Sequence, residues 1–218
     1  RFLEEVSPSL VKEYSLERWK AGENGNSNYV KPDENKMFGI SFTPKFKPKA
    51  KYLEELTPIS KLPKNHVAHE FCKLRRIPEK HYNILYYCDD FGSFMDKLDP
   101  DCLSVGKEER LVIPFFNKNG DVVGAQGRHL TLKGESTART SARYITVKAD
   151  KSIDRLWYGL WRTDPKKKVY VVEGPLDSLF IPNTIAMVGA GAIEQIHPRL
   201  VESEVVYALD NEPRNKQI

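Results

Sequence analysis

Four carboxylates late in the sequence are the residues whose types and spacing most invite chemistry. Glu173 closes the apolar run KVYVVE at 168–173, and Asp177 follows it by four positions. Asp210 closes EVVYALD at 204–210, and Glu212 follows it by two. If both runs are strands of one parallel sheet, their carboxyl ends share an edge, which is where open parallel sheets bind ligands. Asp177, in the first turn of a following helix, stays near that edge. Glu212 in extended chain points to the same side as Asp210. Such a group of acids repels itself unless a cation occupies it, and hard oxygen donors suit Mg²⁺ or Mn²⁺. Acids at strand ends also serve as helix caps or surface charges, and Asp177 could simply favour the positive end of its helix. Spacing alone leaves both readings open.

Basic residues gather just ahead of these acids. Between Val122 and Ala149 stand Arg128, Lys133, Arg139, Arg143 and Lys148 against the single acid Glu135, with Lys151 and Arg155 soon after. His129 and Tyr144 interleave with them. Strand alternation puts Arg143 and Ile145 on one face, Tyr144 and Thr146 on the other. A basic sheet beside an acidic metal rim suits phosphate chemistry on a nucleic acid, with cations holding phosphates while metals act at the reacting phosphorus. A solvated charged face is the plainer alternative.

The elements that must position these groups follow from periodicity. Apolar RLVIPFF at 110–116 and DVVGAQGRHL at 121–130 flank Asn117-Lys118-Asn119-Gly120, a strong hairpin signal. ARYITVK at 142–148 alternates with period two and is expected as a third strand. LWYGLW at 156–161 starts a short helix or turn. From Lys168 strands alternate with helices: KVYVVE, a helix starting at Pro175, TIAMVGA at 184–190, a helix over 191–203 that Pro198 would kink or split, and EVVYALD. That βαβαβ order predicts a parallel sheet with right-handed crossovers.

Ahead of the hairpin, helices are expected between Tyr52 and about Pro100. One is NHVAHEFCKLRR at 65–76, with Asn65 as its cap, Val67, Phe71 and Leu74 as its apolar face, and cations late in the helix. His66, His69 and His81 lack a Cys or carboxylate to complete a metal set. Residues 5–20 carry a helical apolar pattern, and 21–36 read as loop. FTPKFKPKAK at 42–51 reads as an extended basic tether, either solvated or lying on phosphates.

The chain has 218 residues, 40% hydrophobic and 29% charged, which is a globular composition. Its net charge of +4 does not by itself demand a polyanionic partner. No apolar run approaches the roughly 18 residues of a membrane span. Cys72, Cys88 and Cys102 form no CxxC pair, which disfavours a disulfide framework or zinc ribbon and fits a cytoplasmic setting. The first residue is Arg1 rather than Met, and Ile218 falls in what reads as a helix start, so a piece of a longer protein is expected.

At these residues the chain resembles DnaG-type (Toprim) DNA primases, and among them the replicative primases of tailed phages. RLVIPFFNKNGDVVGAQGR at 110–128 resembles the family's hairpin ending in Gly-Gly-Arg, with Gln126-Gly127-Arg128 here. RYITVKADKSIDRLWYGL at 143–160 resembles its Lys-Tyr-Leu…Leu-Tyr-Gly-Leu segment. VYVVEGPLDSLF at 169–180 resembles the first Toprim motif, Glu-Gly-x-x-Asp. YALDNEPRNK at 207–216 falls where the second, Asp-x-Asp, belongs, with Glu212 in place of its second Asp.

The resemblance implies an α/β fold: a Toprim-type parallel sheet, truncated on its C-terminal side, preceded by a mixed α+β basic subdomain. Residues 1–51 would be the tail of a missing zinc-binding domain and a basic linker, 52–165 the basic subdomain of the catalytic core, and 166–218 an incomplete Toprim domain. Glu173, Asp210 and Glu212 would be catalytic and, with Asp177, would hold Mg²⁺ or Mn²⁺; zinc would belong only to the missing domain. Arg128, Arg143 and one of Lys151 or Arg155 would contact template or nucleotide, alongside Lys148 from the basic strand. The implied activity is synthesis of short RNA primers on single-stranded DNA from ribonucleoside triphosphates, with a replicative helicase as partner. A Toprim nuclease or topoisomerase and a non-catalytic single-strand binding module are the alternatives.

Overall fold

In the computed structural model the described residues are 51–131, 142–188 and 196–209. The chain divides into two compact units, Arg1–Ser41 and Phe42–Ile218, and every described residue belongs to the second. The expectations for the 5–20 helix, the loop at 21–36, most of the basic tether, and Lys133, Glu135, Arg139, Asp210 and Glu212 fall outside the described residues.

The hairpin forms as its sequence dictates. Strand β3 (Arg110–Phe116) pairs antiparallel with β4 (Val122–His129), and β5 (Tyr144–Lys148) pairs antiparallel with β4. Asn117 closes the turn, its side-chain oxygen accepting from the backbone N–H of Asn119 (2.8 Å) and Asp121 (3.0 Å). Two short strands complete the sheet in the order β1-β2-β3-β4-β5: β1 (Thr57–Pro58) and β2 (Tyr86–Cys88). All seven residues of β3 are buried, as a strand covered on both faces requires. Pro114 is tolerated there because β2 pairs only with Arg110 to Val112, leaving the far half of β3 open on that side.

Arg110 is fully buried in this sheet. Its guanidinium pairs with Glu108 (2.6 Å) and donates to the carbonyls of Gly127 (3.1 Å) and Ala142 (3.0 Å), which answers the desolvation of its charge. Gly127 has no room for a side chain: a Cβ there would lie 2.4 Å from the Phe91 ring.

The region from Tyr52 to Pro100 is less helical than its sequence suggests. It holds two eight-residue helices, α1 (Val67–Leu74) and α2 (Phe91–Leu98), between 3-10 turns and the short strands. α1 starts one residue later than expected: His66, not Asn65, is its cap, with Nδ1 accepting from the Ala68 N–H (3.2 Å). Its buried stripe is Ala68, Phe71 and Cys72, while Val67 and Leu74 at its ends are exposed. α2 is capped by Asp90, whose carboxylate accepts from the Ser93 N–H (3.1 Å), and it buries Phe91, Phe94, Met95 and Leu98.

The second sheet runs β6-β8-β7-β9, where β6 is Trp157–Tyr158, β7 Val169–Val172, β8 Thr184–Met187 and β9 Val205–Tyr207. β7 is parallel to both β8 and β9, and β6 is antiparallel to β8. The sheet is therefore mixed. The helix expected from Pro175 is instead a 3-10 turn, Asp177–Leu179. Within the 191–203 region the described part contains the 3-10 turn Pro198–Leu200 rather than an α-helix. Pro198 starts the turn it was expected to disturb.

The main core is continuous between the two sheets. Phe115 meets Tyr158 (5.5 Å between ring centroids) and Phe116 meets Trp161 (5.2 Å), both edge to face. Alternation along the second sheet splits its side chains: Val172 and Ala186 join this core, while Val169, Val171, Ile185 and Met187 pack with Trp157 and Leu200 on the other face.

Candidate functional site

Glu173 leaves the end of β7 and is exposed. The chain then folds tightly: the N–H groups of Asp177 (3.1 Å) and Ser178 (3.2 Å) both donate to the Gly174 carbonyl. This turn carries the Asp177 carboxylate back over Gly174, where a Cβ would lie 2.3 Å from Oδ2. A side chain at 174 and the carboxylate in its present place exclude one another. That is the physical content of Glu-Gly-x-x-Asp in this chain.

Opposite the turn, β4 and β5 supply cations, and the two walls enclose a cleft of about 880 Å³. Of the candidate charged residues named from the sequence, Arg128, Arg143, Lys148, Arg155, Glu173 and Asp177 line it, and so does Tyr144. Arg143 departs from the alternation expected for it. It precedes the first residue of β5 and lines the cleft beside Tyr144, whereas Val147 points into the core and Ile145 packs against it.

The cations are not equivalent. Arg128 is almost wholly buried, sandwiched between the rings of Phe71 (5.3 Å) and Tyr144 (5.0 Å), and donates to the carbonyls of His129 and Thr131. Burial lowers its pKa, but a guanidinium remains charged at any physiological pH. Its Nε, and Nη1 of Arg155, are buried with no hydrogen-bond partner among the described residues. Lys148 spends its ammonium on the carbonyls of Ile153 (2.9 Å) and Asp154 (2.6 Å), closing the turn after β5. Lys151 does not line the cleft. It pairs with Asp99 and Asp101 (2.8 Å each) at the end of α2, and hydrogen bonds to those carboxylates raise its pKa.

Among the polar residues that line the cleft, Arg75, Gln126, Thr146 and Asp154 were not assigned to a site from the sequence. Arg75 stacks over Phe71 (5.8 Å), and Gln126 donates to Thr146 (3.0 Å) across the β4–β5 ladder. Arg75 was legible only as a cation late in a helix, because its place at the cleft depends on tertiary packing.

The donors present fit a hard divalent cation in kind: two carboxylates on one tight turn, with Asp177 Oδ2 lying close over Gly174. Among the described residues, no group of three or more His, Cys, Asp or Glu is placed to hold a metal ion, and Asp210 and Glu212 lie outside them. His66 and His69 instead pack edge-on against Tyr87 and Tyr82. No helix among the described residues is long and apolar enough to cross a membrane.

No family model matches the chain. A curated relative does: over 98% of this chain, it is 33% identical to the DNA primase of Enterobacteria phage T4. The chain is similar to DNA primases. It spans 58% of the length of that primase. Among solved structures, a DNA primase domain from Pseudomonas aeruginosa matches with a TM-score of 0.51 at 16% identity, over 71% of this chain and 57% of that one. This likeness is one of fold, a mixed α/β architecture with antiparallel and mixed sheets. The DnaG primase catalytic domain bound to ssDNA matches with a TM-score of 0.47 at 17% identity, over 62% of this chain and 50% of that one.

Proposed function

We propose that the chain carries the nucleotidyl-transfer region of a DNA primase, which copies single-stranded DNA into short RNA primers from ribonucleoside triphosphates. The observation that supports it most is the single cleft in which Glu173 and Asp177 face Arg128, Arg143 and Arg155. The identity to a phage primase over nearly the whole chain supports the same reading. We read the second sheet as Toprim-type, from the parallel β8-β7-β9 order and the acidic turn at the end of β7.

Glu173 and Asp177 would hold Mg²⁺ or Mn²⁺ together with Asp210 and Glu212, which are assigned from the sequence resemblance. Such ions, when bound, supply Lewis-acid chemistry: a lowered pKa for a 3′-hydroxyl and neutralisation of charge at the phosphorus and leaving pyrophosphate. The chain's own cations do the holding. Arg143 and Arg155 present planar donors to phosphate oxygens, a geometry that lysine cannot reproduce, while Arg128, buried behind Tyr144 with its terminal nitrogens on backbone carbonyls, adds positive potential to that wall. Tyr144, 39% exposed and backed by Arg128, offers a ring face on which a base stacks. Lys148 contributes positive potential while holding its own turn. A replicative helicase partner and a zinc-bearing domain belong to this reading through the family resemblance alone.

The test is primer synthesis by the full-length protein on single-stranded DNA with labelled ribonucleotides. Glu173→Gln is expected to lower synthesis on the order of a thousandfold while DNA binding and folding persist. Unchanged synthesis in that variant rejects the metal assignment. Cleavage of the DNA without RNA synthesis would favour a Toprim nuclease. Salt-sensitive binding indifferent to EDTA, with no synthesis, would favour a binding module.

A further inference from the structure

The acidic turn is gripped from behind by side chains that do not line the cleft. Arg162 ends the 3-10 turn Leu160–Arg162, and its Nη2 donates to both the carbonyl (3.0 Å) and the hydroxyl (2.9 Å) of Ser178. Ser178 is fully buried, and its hydroxyl donates in turn to the Pro175 carbonyl (2.6 Å). One residue further on, His81 Nε2 lies 3.0 Å from the Leu179 carbonyl. Burial lowers the His81 pKa to about 3, so the ring is neutral at physiological pH and Nε2 carries the proton that it donates.

The anchor is itself well fixed. Arg199 donates to the carbonyls of Leu160 (2.9 Å) and Thr163 (3.3 Å), and the Thr163 hydroxyl donates to Gly159 O (2.8 Å). The Arg162 guanidinium lies over the rings of Tyr158 (5.3 Å) and Trp161 (5.9 Å). Yet its Nε and Nη1 are buried with no hydrogen-bond partner among the described residues. A guanidinium so incompletely satisfied is a poor device for stability alone, since buried charge is costly and hydrophobic replacements often stabilise more. What it does accomplish is specific: its single saturated nitrogen holds both oxygens of the residue that follows Asp177.

We propose that Arg162 is a positioning residue for the acidic turn, fixing through Ser178 where the Asp177 carboxylate meets the cleft. This rests on the reading of Glu173 and Asp177 as metal ligands. Supporting groups behind a ligand set its orientation, and their loss weakens metal affinity without removing a ligand.

The experiment is a titration of the protein with Mn²⁺, followed by the loss of the free-ion paramagnetic resonance signal, beside thermal melting of each variant. Ser178→Ala removes one of the two oxygens that Arg162 grips, and Arg162→Lys keeps the charge but loses the planar donor pair. Both are expected to raise the Mn²⁺ dissociation constant about tenfold, with Ser178→Ala melting close to the unaltered protein. A purely structural role predicts lowered melting with unaltered Mn²⁺ affinity, and that result overturns the proposal. Should Arg162→Lys fail to fold, Ser178→Ala decides alone. Asp177→Asn separates the two levels of the argument. If it weakens Mn²⁺ binding while the other variants do not, only the positioning role falls. If it binds as the unaltered protein does, or if the unaltered protein binds no Mn²⁺, the metal reading falls and the positioning role with it.

Discussion

The two walls of the cleft are built on opposite plans. The basic wall is a ladder of long antiparallel strands, and its chief cation, Arg128, is locked between two aromatic rings. The acidic wall is one tight turn at the end of a four-residue strand, held by a few hydrogen bonds from below. Extended pairing fixes many residues at once, so the loss of one contact is shared. A turn concentrates its geometry in one or two atoms. The acidic wall should therefore be brittle to small changes, and the basic wall should yield gradually.

The sharpest break of that contrast is Gly174→Ala. Gly174 does not sit at positive φ, so alanine strains no backbone there, but its methyl would occupy the space of the Asp177 carboxylate. Displacing a reacting-site group by about 1 Å costs on the order of a hundredfold, so primer synthesis should fall that far while melting hardly changes. Near-normal synthesis would show that the turn tolerates more than its crowding implies.

On the basic wall, Arg128→Lys keeps the charge and loses the planar stack on Phe71 and Tyr144. Binding of single-stranded DNA should weaken by about tenfold with little change in its salt dependence, because the number of neutralised phosphates is kept. Unchanged affinity would instead make Arg128 a simple point charge, which lysine replaces without loss.

The support under the acidic turn should also leave a pH signature. The pKa of His81 is lowered on folding to about 3, so the unfolded chain takes up its proton first. Its contribution to stability is present above about pH 6.5 and is lost as pH falls toward the folded value, with a slope of at most about 1.4 kcal/mol per pH unit. His81→Gln keeps a donor toward Leu179 and removes the titration. Denaturant unfolding between pH 7 and pH 5 should therefore be flatter in the variant, and equal slopes would remove His81 from the account.

The smallest effect is expected from Lys151→Met, since Lys151 is paired at the exposed end of α2. DNA binding should stay within about twofold of the unaltered protein, and melting should shift by no more than a degree or two. A large loss of DNA affinity would return Lys151 to the interface.

These contrasts also explain what could be read from the residues in advance. The hairpin was plain because Asn-Gly chemistry and apolar runs are local signals, and β3 and β4 lie where that pattern put them. The parallel pairing of β7 with β8 and β9 followed from strand order. After β7 the chain makes a 3-10 turn at Asp177–Leu179 where the pattern suggested a helix, because periodicity over so few residues cannot tell one from the other. The α1 face was misjudged for a related reason: Val67 and Leu74 fit the period, but the core accepted the stripe beginning at Ala68. In the cleft, Glu173, Asp177, Arg128, Arg143 and Arg155 were visible as a pattern of charge. Nothing in that pattern separated Lys148 and Lys151, whose ammonium groups serve the fold, from the arginines that face the opening. Arg75 was visible only as a late-helix cation, Gln126 only as a motif position and Arg162 not at all, because each takes its role from a partner distant in sequence.

Arg110 touches the carbonyl immediately before Arg128 and the carbonyl immediately before Arg143. It is thus a hidden ruler. Together with the β4–β5 ladder, which sets Arg128 opposite Tyr144, a guanidinium that never meets solvent spaces two that line the cleft.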